Sequence, residues 1–126
     1  SYAKDKNNVY AYADNEYASS LVKVAEADVS SFSAINESFA KDKNNIFYQN
    51  QIILDADLST FTVLDMYYAK DKNNVYYGTQ KILEADLDTF VFDWSKGDWF
   101  YDAHDKNNFY ARGVIVGPVP PGAFGQ

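Results

Sequence analysis

Residues 68–77 read YAKDKNNVYY, and the Asp-Lys-Asn-Asn inside them also stands at 5–8, 42–45 and 105–108. A catalytic site is built once in a chain, whereas a turn or a repeated contact is built many times. Four copies in 126 residues therefore point to architecture. The flanks agree. Tyr2-Ala3-Lys4, Phe39-Ala40-Lys41 and Tyr68-Ala69-Lys70 precede the first three copies, and Ala103-His104 precedes the fourth. Val9-Tyr10, Ile46-Phe47-Tyr48, Val75-Tyr76-Tyr77 and Phe109-Tyr110 follow. Short β-branched and aromatic runs around a polar tetrapeptide predict two strands joined by a tight hairpin. Within such a turn Asp accepts from backbone N–H groups further along, and Asn tolerates the left-handed backbone. An Ala two residues before every Asp predicts a crowded position.

A second phrase sets the register. Ala-Asp-x-x-x-Phe spans 27–32, 56–61 and 85–90, in steps of 29 residues, while the Asp-Lys-Asn-Asn copies step by 37, 29 and 34. The middle unit is thus the plain one. The first carries an insertion around AYADNEYASS, and another around DWSKGDWFYDAH follows the third. Such a fixed period signals stacked units that cannot bury their apolar faces alone. A second turn is expected at Gln49-Asn50 and Gly78-Thr79, followed by the apolar strands Ile52-Ile53-Leu54 and Lys81-Ile82-Leu83. Asp28, Asp57 and Asp86 are placed to cap one short helical turn, and Phe32, Phe61 and Phe90 to point into the core. Val9, Ile46, Val75 and Phe109 are expected to be equivalent buried positions. The predicted fold is mainly β. It is a repeat of about 29 residues built from short antiparallel hairpins or meanders, each unit with one short helical or 3-10 turn. Three units plus a half form one domain over 1–112, and 113–126 add a strand and a Gly/Pro-rich tail or linker.

The stretch DKNNVYYGTQKILEADLDTF (71–90) resembles the repeat of the DKNYY family of bacterial proteins, in which Asp-Lys-Asn-x-[Val/aromatic]-Tyr-Tyr recurs. The resemblance runs through Tyr110. Ala11 and Ala111 replace the second Tyr, and Gly113–Gln126 lies outside it. It implies a repeat scaffold of bacterial origin, exported or envelope-associated, and it supplies no catalytic residues.

Composition narrows the chemistry. A formal charge of −7, a pI near 4.5 and lysines that sit singly exclude the basic face nucleic acid requires. No cysteine is present, which removes disulfides, Cys-ligated metals and a Cys nucleophile. No apolar run is long enough to span a membrane. Repeat-like sequence is already under way at Tyr2, so no signal peptide is expected in this stretch. The Asp-Lys-Asn opening of an EF-hand loop fails, because the 71–82 copy holds Tyr76 and Ile82 where Gly and Glu are required. Glu84, Asp86 and Asp88 form the densest carboxylate cluster, read here as helix capping before cation binding. Asn36-Glu37-Ser38 matches the N-glycosylation pattern, which a bacterial origin would leave idle. His104, the single histidine, takes the place of a Lys and is read as a surface variant, so no enzyme activity and no cofactor are expected.

What interrupts the repeat is a better candidate for function. Both tryptophans fall in Asp93–Tyr101. Capping the open end of the stack is the plainer role for them, since terminal units differ from internal ones. A contact site is the sharper one, with Trp94, Trp99 and Tyr101 as anchors and Asp98 aiding encounter with a basic partner. The leading expectation is a non-enzymatic protein-binding module, inhibitory or immunity-like in kind. The alternatives are a carbohydrate or cell-surface module using exposed aromatics, and a structural subunit assembling through β-edges and the tail.

Overall fold

The computed structural model describes residues 1–14, 19–93 and 100–123. Among them there is no helix, and fifteen short strands form four antiparallel sheets that follow one another in chain order. The first sheet is β1 (Tyr2–Lys4), β2 (Val9–Asp14) and β3 (Ser19–Lys23). The second is β4 (Ser33–Ala34), β5 (Phe39–Lys41), β6 (Ile46–Tyr48) and β7 (Gln51–Ile52). The third repeats it with β8 (Thr62–Val63), β9 (Tyr68–Lys70), β10 (Val75–Tyr77) and β11 (Gln80–Lys81). The fourth is β12 (Val91–Phe92), β13 (Ala103–His104), β14 (Asn108–Ala111) and β15 (Val114–Pro118).

Each Asp-Lys-Asn-Asn closes the central hairpin of its sheet, in one register throughout: Lys4 opposes Val9, Lys41 opposes Ile46, Lys70 opposes Val75 and His104 opposes Phe109. The second turn of units two to four needs a left-handed residue, supplied by Gln49 (φ 54°), Gly78 (φ 59°) and Arg112 (φ 52°). Glycine is obligatory at Gly113 (φ +80°), where a Cβ would lie 2.6 Å from the Cβ of Tyr77.

Alternation along the strands sends one set of side chains to each side of every sheet. Three apolar layers result, one between each pair of neighbouring sheets. Val9 and Ala11 meet Ala40 and Phe47 in the first layer, Ile46 meets Ala69 and Tyr76 in the second, and Val75 meets Ala103 and Tyr110 in the third. Val9, Ile46 and Val75 are the equivalent buried positions expected of them; Phe109 is only half-buried, because no further sheet among the described residues covers it. Phe32 and Phe90 are core, while Phe61 sits half-buried at the edge of the middle layer. Ala40, Ala69 and Ala103 are fully buried where sheets meet, which is the crowding that keeps the position small.

The Asp-x-x-x-Phe segments form one capped turn each, too short for a helix. Phe61 N–H donates to Asp57 O and Phe90 N–H to Asp86 O, each at 3.0 Å. Asp28, Asp57 and Asp86 accept at the N-terminal end of these turns, from Ser31, Thr60 and Thr89.

Candidate functional site

The four Asp-Lys-Asn-Asn turns are internally identical. One carboxylate oxygen, Oδ1 of Asp5, Asp42, Asp71 and Asp105, accepts from the amides two and three residues on, every bond at 2.8 Å. The other oxygen reaches across the sheet interface. Oδ2 of Asp42, Asp71 and Asp105 accepts from the amides of Asp28 (2.7 Å), Asp57 (2.9 Å) and Asp86 (2.8 Å) in the preceding unit. The bond is returned, since Lys43, Lys72 and Lys106 donate their backbone N–H to the hydroxyls of Ser31, Thr60 and Thr89, each at 2.9 Å. Those hydroxyls donate in turn to Asp28, Asp57 and Asp86. Each clasp is thus a closed ring of hydrogen bonds over two units, beside ring contacts of Phe32 with Phe47, Phe61 with Tyr76 and Phe90 with Tyr110.

The electrostatics follow. Burial favours protonation of Asp71 and Asp105, but the amide of the preceding unit, a tyrosine hydroxyl and two turn amides outweigh it and hold both below the usual carboxylate range. Asp28 and Asp57 are held low chiefly by the hydroxyls of Ser31 and Thr60. Tyr76 and Tyr110 donate to Asp71 and Asp105 at 2.8 Å; burial and then that carboxylate push Tyr76 up to about 12. In the second, third and fourth copies the Asp carboxylate is therefore spent on the turn and on holding the preceding unit. Phe47, which stands in the place of Tyr76, lacks the hydroxyl, so that bond is optional.

The residues singled out in the sequence fare differently. Trp94, Asp98 and Trp99 lie outside the described residues. Tyr101 is half-buried, with its ring centroid 4.4 Å from that of Phe109 on the outer side of the last sheet. Phe100 beside it is 79% exposed. His104 is not a surface residue: it is buried, with Nδ1 3.6 Å from Oδ2 of Asp93 and its ring near those of Tyr101 and Phe109. Its ring shares the outer side of the fourth sheet with Tyr101 and Phe109, which bury it, whereas the equivalent Lys4 and Lys41 stay exposed. No three acidic or histidine side chains among the described residues converge on a metal-sized site. Asp86 is committed to Thr89, and Glu84 and Asp88 are exposed. Asn36 of the glycosylation pattern donates its Nδ2 to Asp65 O at 3.2 Å. No described helix is long and apolar enough to cross a membrane.

Two exposed features were not singled out in the sequence, and a third is the strand expected after residue 112. Leu54 (72% exposed) and Leu83 (81% exposed) line one groove of about 570 Å3 with Asp55 and Lys81. A second groove carries Leu54 on to Ala25 and Glu26. Each leucine follows a buried isoleucine, Ile53 or Ile82, and stands in the turn beyond the strand, exposed to solvent. Tyr67 stacks on Tyr77 with centroids 5.8 Å apart. β15 is a five-residue edge with Val114 and Val116 exposed, ending at Pro118.

Four like sheets, joined by one clasp used three times, define a short β-solenoid whose repeated phrase is a structural device. Residues 2–58 and 53–114 match the DKNYY family, and the chain belongs to it. No curated protein and no solved structure matches the chain.

Proposed function

We propose that this chain is a non-enzymatic protein-binding module, and that it engages its partner through the row formed by Ala25, Leu54 and Leu83. The observation that carries this reading is the pair of leucines left in solvent at equivalent places of successive units, flanked by Asp55 and Glu84. An apolar row whose rim carries Glu84 and the Asp55–Lys81 pair (3.4 Å) suits a partner that presents apolar anchors beside a basic side chain. The net charge of −7 favours encounter with such a partner. Trp94, Asp98, Trp99 and Tyr101 form the proposed secondary contact, next to the exposed Phe100.

The test is affinity capture from the source organism on columns of the wild-type chain, Leu54→Gln/Leu83→Gln and Trp94→Ala/Trp99→Ala. Both leucines are exposed, so their replacement leaves the fold intact. A protein held by the wild type and lost from the leucine variant is expected. Equal capture by the wild type and the leucine variant contradicts the assignment to the groove.

The exposed Tyr67 stacked on Tyr77 supports a second reading, carbohydrate binding on the flank of the third sheet. Glycan-array binding lost in Tyr67→Ala would favour it. Most of the other tyrosines of that sheet and the next are internal, with Tyr68, Tyr76 and Tyr110 fully buried, which weighs toward the first reading.

A further inference from the structure

The two ends of the stack are not alike. On the outer side of the last sheet Tyr101 lies against Phe109, and no Ala-Asp-x-x-x-Phe follows Asn108. On the outer side of the first sheet lie Ala3, Tyr10, Tyr12 and Leu21, brought together by the pairings Ala3–Tyr10 and Tyr12–Leu21. Tyr12 is 45% and Leu21 60% exposed. Ala3 is exposed and Tyr10 half-buried, whereas their counterparts Ala69 and Tyr76, or Ala103 and Tyr110, are fully buried under the preceding unit. The polar half of the contact is equally open. Asp5 makes the two local turn bonds through Oδ1, yet among the described residues no donor reaches Oδ2, and the Lys6 amide has no hydroxyl to meet.

We infer that the outer face of the first sheet is a docking site for one further unit of this same repeat, carrying an Ala-Asp-x-x-[Ser/Thr]-Phe turn. The chain itself displays the complementary half three times. In each case an Asp amide fills the second carboxylate oxygen, a Ser or Thr hydroxyl receives the Lys amide, and a Phe ring covers the aromatic of the hairpin. Asp5, Lys6 and Tyr10 hold the same positions and offer the same groups. A second copy of this chain is a poor occupant, because its turns at Asp28, Asp57 and Asp86 are each engaged with its own next sheet. The surface is separate from the Leu54–Leu83 row, so the two assignments stand or fall independently.

The experiment places residues 39–67, one plain unit, ahead of Tyr2 in the full chain, which sets the added Asp57 as far before Asp5 as it stands before Asp71. Docking is expected to raise Tm by at least about 4 °C, since each added unit contributes its interface with its neighbour. It is also expected to slow hydrogen exchange of the Lys6 amide at least about tenfold. Asp5→Asn keeps the turn acceptor and loses the second carboxylate oxygen; it should leave the unextended chain unchanged and abolish the gain in the extended one. An unchanged Tm, or a full gain with Asp5→Asn, overturns the inference. Should the extended chain not fold, an untethered peptide of residues 53–67 replaces it. Saturable shifts of the Lys6 and Asn7 amides, absent with Asp5→Asn, are then expected, and no saturable shift at millimolar peptide overturns the inference. A dimer of the unaltered chain that Tyr12→Lys dissolves would give the face to a second copy and overturn it as well.

Discussion

The first and third hairpin turns share the sequence Asp-Lys-Asn-Asn and the same two bonds from Oδ1, yet they belong to different environments. Asp71 is buried and its second oxygen holds both the Asp57 amide and the Tyr76 hydroxyl, while Asp5 is exposed and its second oxygen meets neither. The tetrapeptide thus does two separable jobs. Locally it makes a turn, which any isolated copy does. Across the interface it anchors the unit before it, which only a copy with a neighbour does. Stability in such a stack resides in the interfaces between units, so identical residues differ in importance according to where in the row they stand.

That difference is most easily broken in the apolar layers. Phe90 is buried between the third and fourth sheets against Tyr68 and Tyr110, and Phe90→Ala should cost about 3–5 kcal/mol on urea denaturation. Phe61, its counterpart at the half-buried edge of the middle layer, should cost roughly half as much. Equal losses would mean that the two layers are packed alike.

Acid comes next in size. The folded-state values of Asp71 and Asp105 lie below the unfolded carboxylate value of about 3.9. The stability they contribute is therefore complete above that value and is lost as pH falls through their lower folded values. Urea midpoints measured from pH 6 to pH 2 should fall steeply below about pH 4 for the wild type and less steeply for Asp71→Asn. Tyrosine gives the opposite limb. Tyr76 is raised in the fold to about 12, so its contribution holds up to the unfolded value of about 10 and is lost as pH rises through about 12. A stability profile flat from pH 6 to pH 2 would show that the clasps contribute little.

The turns, the period and the buried Val9–Ile46–Val75 series were legible because each depends on residues adjacent in sequence and on strand alternation. The clasp was not. It joins the side chain of Asp71 to an amide fourteen residues earlier, and nothing in a tetrapeptide says which of its two oxygens stays free. The capping role read for Asp57 was correct as far as it went, but Thr60 also receives the Lys72 amide, a second use that only the folded chain brings into view. His104 was misread because its slot holds Lys in the other units; burial there comes from Tyr101 and Phe109, which belong to the irregular end. Leu54 and Leu83 did leave a signal, an apolar residue one position past a core isoleucine at the same place of two units. The apolar runs Ile52-Ile53-Leu54 and Ile82-Leu83 read simply as core, which hides it. Trp94, Asp98 and Trp99 lie outside the described residues.

The most direct test of a tetrapeptide with two jobs is one matched pair, Asp5→Asn and Asp71→Asn, compared by urea denaturation at pH 7. Both keep the turn acceptor and both remove the second carboxylate oxygen. At Asp71 the amide of Asp57 and the hydroxyl of Tyr76 lose their acceptor in a buried place, and a loss of about 2 kcal/mol is expected. At Asp5 no such partner exists among the described residues, and the unfolding midpoint should not move. Equal shifts for the two variants would contradict the division between turn and clasp.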